Sequence, residues 1–217
     1  MQLLPLYYAT FFANGGAVLL GLVRYKKLST PLRLLVALLV YWFAVSFAEE
    51  YTRSRNIHNL WIGQINNVVE MVFFGYIYYA WRVSKQNGLF IVASIVLFLV
   101  GWGIAKFTFE PITGGDDITW ALSRSIQIVI CTYLLLATLR SRVEIGWHKD
   151  PKILISAGFI FYAAATFLLF SLFTPMLNAS LELLRVIFQI NWIANIVTYV
   201  IFGWAAYNEN RRLQTIE

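Results

Sequence analysis

Residues 88–107 read GLFIVASIVLFLVGWGIAKF, twenty residues with Lys106 as the one charge. A bilayer core about 30 Å thick is crossed by roughly 20 apolar residues in an α-helix, so this stretch predicts a transmembrane helix. Loop chemistry closes it on both sides. Lys85-Gln86-Asn87-Gly88 precedes it and Pro111-Ile112-Thr113-Gly114-Gly115 follows. Working outward, three comparable runs lie toward the N-terminus, at about 60–81, 31–50 and 4–23. Three more lie toward the C-terminus, at about 118–139, 152–173 and 182–207. The expected fold is therefore all-α: a polytopic membrane protein of seven transmembrane helices in one domain, 1–217. Composition agrees. Of 217 residues, 59% are hydrophobic and 13% charged, too little charge to cover a soluble domain of this length. Eight Trp and 12 Tyr suit a chain with two membrane interfaces to anchor.

Basic residues in short loops set the direction of insertion. Arg24, Lys26, Lys27, Arg33, Arg82, Lys85, Arg140, Arg142, Lys149, Lys152, Arg211 and Arg212 fall on one side, 12 of the 17 Lys and Arg. Arg53, Arg55, Lys106, Arg124 and Arg185 fall on the other, with the acidic turn Asp116-Asp117. The expectation is an integral plasma (inner) membrane protein with its N-terminus outside and its C-terminus cytoplasmic. The first span has no basic region before it and is expected to be retained. Thr30 and Asp150 are suitable N-caps, and Pro31 and Pro151 occupy first-turn positions where proline is tolerated. Gly15-Gly16 is expected to let helices approach closely.

The chain also repeats itself. Gln64-Ile65-Asn66 recurs as Gln189-Ile190-Asn191, which aligns Glu70 with Asn195 at an offset of 125. At an offset of 120, Pro31 meets Pro151, Tyr41-Trp42 meets Phe161-Tyr162, and Ser46 meets Thr166. Leu22-Val23-Arg24 matches Thr138-Leu139-Arg140 at 116. The steps fall in loops, where insertions belong. Two three-helix halves, about 1–82 and 118–212, would be joined by the linker helix 88–107. Because the linker restores direction, the halves are parallel repeats about an axis along the membrane normal.

This three-plus-one-plus-three order resembles the SWEET sugar facilitators, the nicotinamide riboside carriers and, more distantly, the microbial rhodopsins. The SWEET resemblance implies a solute held between an asparagine of the third helix and one of the seventh, here Asn66 or Asn67 and Asn191 or Asn195. The helix interiors lack the hinge prolines of that group. The seventh helix lacks the lysine that retinal requires, so no cofactor is expected.

Polar groups inside spans are costly and face a bundle interior or a watery cavity. Asn66 and Asn67 share a helical face with Glu70, and Gln64 widens the stripe. Gln189, Asn191 and Asn195 form a matching stripe on the last helix. Arg124 and Gln127 add polar groups to the fifth. These nine residues are the expected ligand site, with Glu70 near the centre of the membrane. Arg124 lies 16 residues from Arg140, and Glu49 lies 16 from Arg33, so the two share a depth. Glu70 is 12 from Arg82, about 6 Å deeper and still within reach of Arg124. Glu49, Glu50, His58 and Arg185 form an expected outer pocket.

Other chemistry is excluded by what the sequence lacks. There is no phosphate loop, no H-E-x-x-H helix and no G-x-S-x-G. Cys131 is the one cysteine, and His58 and His148 fall on opposite sides of the membrane, so no metal site is expected. The basic residues form no continuous patch for nucleic acid. The expected function is a facilitator or a proton-coupled carrier for a small polar solute, with the amides bonding the solute and Glu70 binding either its cation or a proton. A small-molecule receptor acting through a partner is the alternative, and an intramembrane lipid-modifying enzyme the third reading, for which no catalytic residue is assigned. Expected partners are the bilayer, the solute, and a second copy or signalling protein.

Overall fold

The computed structural model describes residues 5–82, 84–112, 117–141, 150–171 and 181–213. Asp116, Arg142, His148 and Lys149, used above for topology, lie outside the described residues. The fold is all-α. Among the described residues seven α-helices follow one another: α1 Pro5–Arg24, α2 Thr30–Ser54, α3 Leu60–Ala80, α4 Lys85–Thr108, α5 Asp117–Ser141, α6 Pro151–Ser171 and α7 Leu181–Leu213. A single 3₁₀ turn, Tyr25–Lys27, links α1 to α2. Five of the seven (α1, α2, α4, α5 and α7) are long and apolar enough to cross a membrane. Helix α6 carries a shorter apolar run, Pro151–Phe167. Helix α3 has 21 residues, but Gln64, Asn66, Asn67 and Glu70 interrupt its apolar character.

Local chemistry sets the helix ends. Asp150 caps α6, its Oδ1 accepting from the Lys152 N–H at 2.9 Å. Ser84 does the same for α4 through the Asn87 N–H at 3.1 Å. For α2 the capping residue is Ser29 and not Thr30, and it makes no side-chain cap bond. Its backbone N–H instead donates to Glu209 at 2.8 Å, tying the start of α2 to α7. After α2, Asn56 takes a left-handed backbone at φ 54, a conformation asparagine tolerates better than most residues.

The helices form a closed ring in chain order. Each packs on the next, α7 returns to α1, and α3 meets α5 over a short stretch inside the ring. The closest approaches are at Gly21, where a Cβ would lie 2.4 Å from Val36 Cγ2, and at Gly75 and Gly158, where it would lie 2.7 Å from Ile95 Cγ1 and from Phe202 Cε1. Gly15 and Gly16 play no such part: a Cβ on Gly15 would only touch the Phe43 ring at 3.4 Å, and one on Gly16 would meet nothing within 4 Å.

Polarity is distributed the opposite way from a water-soluble protein. Phe107 is 91% exposed and Val23 85%, and Leu19, Leu89, Leu97 and Val200 also face outward. Glu70, Arg124, Gln127 and Asn67 are 0% exposed. An apolar exterior of this extent fits a lipid surroundings better than water.

Candidate functional site

The buried polar residues of α3, α5 and α6 converge on one ion pair. Arg124 and Glu70 meet through Nη1 and Oε1. Nη2 donates to Oε2 at 3.1 Å, which makes the pair bidentate. Gln127 joins both partners. Its Oε1 accepts from Arg124 Nη1 at 2.8 Å, and its Nε2 donates to Glu70 Oε1 at 2.7 Å. Arg124 also donates to the Tyr162 hydroxyl at 3.4 Å. Its guanidinium lies over two rings, 4.4 Å from the Trp120 centroid and 4.6 Å from that of Tyr162. Helical spacing explains the convergence on α5: Trp120, Arg124 and Gln127 stand four and three residues apart and share a face.

The ion pair and Gln127 are fully buried. Two full charges in a low-dielectric interior are tolerated only when paired with good geometry and supplementary hydrogen bonds, which Gln127 and Tyr162 provide. Some polar capacity is left over. Arg124 Nε and both amide atoms of Asn67 are buried without a hydrogen-bond partner, as is Asn66 Oδ1. Below the site on α3, Phe74 and Phe159 pack edge to face with centroids 5.1 Å apart, and both are fully buried. Beneath them Tyr78 donates to Ser156 Oγ at 3.0 Å and accepts from the Cys131 thiol at 3.1 Å. Trp42 lies beside both Tyr162 and Tyr199, at 5.9 and 6.0 Å between centroids.

The remaining expected site residues are dispersed. Gln64 donates to the Pro111 carbonyl at 3.2 Å, near the start of α3. On α7, Asn195 Nδ2 donates to the Asn191 backbone carbonyl at 3.0 Å and reaches the Asn191 side-chain Oδ1 at 3.4 Å, bonds made within α7 itself. Gln189 is half-buried. Of the outer group, Glu50 accepts from the Tyr7 hydroxyl at 3.2 Å and pairs with Arg53. Glu49 is half-buried, while His58 and Arg185 are exposed. They do not form one pocket with each other through hydrogen bonds or ion pairs.

Several residues that matter here went unnoticed in the sequence. Tyr162 stood out only as the repeat partner of Trp42. Trp120 was readable in principle, four residues before Arg124 on the same face. Glu110 gave no signal, because a lone glutamate in a loop looks like surface. Yet it caps α5, accepting from the Ile118 N–H at 2.6 Å, the Thr119 N–H at 3.2 Å and the Thr119 hydroxyl at 2.9 Å. Lys106 lies 3.7 Å from it, and both side chains are largely buried. Asn14 on α1 is also buried with both amide atoms unpartnered. Among the described residues no group of acidic, histidine or cysteine side chains is placed to hold a metal. Comparison with known protein families, with curated proteins and with solved structures finds no match for this chain.

Proposed function

We propose that this chain is a seven-span carrier for a small polar solute, N-terminus outside and C-terminus cytoplasmic in the plasma (inner) membrane. The solute site is the layer formed by Glu70, Arg124, Gln127, Tyr162 and Asn67. The buried ion pair carries this reading. A structural tie inside a membrane helix bundle is made more cheaply by neutral amides or by packing, and replacing a buried ion pair with apolar groups is often stabilising. A bidentate pair kept at the centre of a bundle, with unpartnered Asn67 and Arg124 Nε beside it, is better explained by work on a polar ligand.

The two-half arrangement supports the reading. Trp42 and Tyr162, paired by the offset of 120, lie against each other, as residues related by a nearby two-fold axis would. Their neighbours repeat the same local bond: Ser46 donates to the Trp42 carbonyl at 2.9 Å and Thr166 to the Tyr162 carbonyl at 2.7 Å. The ring order also leaves α4 as the unmatched linker between halves 1–82 and 118–212.

The test is uptake by liposomes containing the purified chain, with glycerol, glucose, glycine and acetate as probes. At least one should enter faster than in empty liposomes, and Glu70→Leu should abolish that excess. Full uptake by the Glu70→Leu protein, or no excess for any probe, overturns the carrier. Binding without uptake would favour the receptor.

A further inference from the structure

The site is built asymmetrically around its two charges. Arg124 is fixed from several sides: Trp120 and Tyr162 flank its guanidinium, and Gln127 Oε1 holds Nη1. Glu70 is held from one side, its oxygens touching Arg124 and Gln127, both on α5. Helix α3, which carries Glu70, meets α5 over a short stretch. The cation is therefore the anchored half and the carboxylate the displaceable half. The surrounding groups agree. Arg124, Gln127 Nε2 and Asn67 Nδ2 supply donors, Arg124 Nε and Asn67 Nδ2 are unpartnered along with the acceptors Asn67 Oδ1 and Asn66 Oδ1, and Glu70 is the one carboxylate among the described residues of the layer. A cationic solute would have to pull Arg124 out from between two rings. An anionic one needs only the place that Glu70 vacates.

We propose that the solute is a small monoanion, a carboxylate, which replaces the Glu70 carboxylate on Arg124 as Glu70 takes up one proton. This deepens the carrier reading and rests on it. The charge balance is closed. Before exchange the layer holds Glu70⁻ and Arg124⁺. After exchange it holds neutral Glu70, the anion and Arg124⁺. Net charge inside the membrane stays at zero, so neither the anion nor the proton enters without the other. Released together on the far side, they cross as one neutral pair.

The groups that bear on Glu70 are few. Arg124 faces it from α5 and Tyr162 from α6, and Tyr41 of α2 and Tyr199 of α7 lie within electrostatic reach, with Glu49 of α2 in reach of the same three tyrosines. On α4 the charged residues stand at the helix ends, Lys85 at the start and Lys106 beside Glu110. Glu70 is then the group whose proton is linked to the anion, and linkage of one proton makes affinity rise tenfold per pH unit of acidification while free Glu70 is ionised.

Calorimetry on the full-length chain in detergent tests this, with formate, acetate and benzoate as probes and methylammonium as the cationic control. Titration in two buffers of different ionisation enthalpy counts the protons. The expected result is one proton taken up per carboxylate bound, with affinity ten times higher at each lower pH unit. Carboxylate binding without proton uptake, preferential binding of methylammonium, or no carboxylate binding overturns the proposal. A variant gives an independent check. Glu70→Ala leaves Arg124 unpaired beside an empty carboxylate-sized space, so acetate should raise its melting temperature at neutral pH while methylammonium does not. Equal effects of the two ions contradict the proposal. The two readings fail separately: glycerol or glucose uptake without carboxylate binding would keep the carrier and discard the anion, and proton-linked carboxylate binding without uptake would do the reverse.

Discussion

Arg124 has a fully buried side chain and the most hydrogen-bond donors to satisfy, so its partners dominate the energetics of the interior. Removing one member of a buried pair strands the other, at a cost of about 3–5 kcal/mol. Glu70→Gln should therefore lower the melting temperature clearly in detergent, and Arg124→Gln should do so too. The double replacement should recover most of the loss, since two amides can bond each other without stranding a charge. A thermal-shift series on the three variants checks this, and additive losses in the double variant would show that the pair is not a unit. At this scale the sequence was informative about which residues are polar and buried. Glu70 and Arg124 were both legible because charge inside an apolar run demands an account. The choice of partner was less so. Depth counting put Arg124 level with Glu49 and left Glu70 within its reach; of the two, the structure pairs it with Glu70, the expected contact, because side-chain reach and helix rotation decide between partners that axial depth leaves open. The α7 amides were expected across the axis from α3, but an i, i+4 bond satisfies them locally.

At the scale of the element, helix ends and crossings show what pattern reading captures. The seven runs became seven helices, with ends shifted by a few residues, because apolar length is the strongest signal a sequence carries. Caps were legible where a short polar side chain precedes proline, as at Asp150, and misplaced by one residue at Ser29. The cap on α5 was invisible, since Glu110 reaches it from seven residues before the helix begins. Glu110→Ala should destabilise the protein by about 1–2 kcal/mol, as loss of a cap does, and leave Glu70 and Arg124 in place. A lower melting temperature with unchanged binding at the central site is the expected result. Close packing was assigned to Gly15-Gly16, but spacing alone does not say which small residue faces a neighbour. The tight crossing is at Gly21, so Gly21→Ala should cost roughly 1–3 kcal/mol by forcing Val36 aside, whereas Gly16→Ala should be nearly neutral. Equal melting temperatures for the two variants would refute that assignment.

Across the whole molecule, the all-α architecture and its apolar exterior were readable from the run of hydrophobic segments, while the direction of insertion is a proposal that rests on the basic loops. Reporter fusions after Lys27, Arg82, Arg142 and Arg212 should all read cytoplasmic, and one reading external would break the proposed seven-span topology. The proposed repeat rests on residue matches. Its geometric support, the contact of Trp42 with Tyr162, was not legible in them, because an offset between two residues says nothing of their distance. The whole account turns on one claim, that the Glu70–Arg124 layer is where solute binds and is not a structural tie. The most direct test uses the Glu70→Gln/Arg124→Gln protein, which keeps the shape of the layer and removes both charges. Its uptake into liposomes is compared with wild type at matched folded protein. The account predicts a melting temperature near that of wild type with uptake reduced to the level of empty liposomes. Uptake at the wild-type rate by the doubly neutral protein would contradict it.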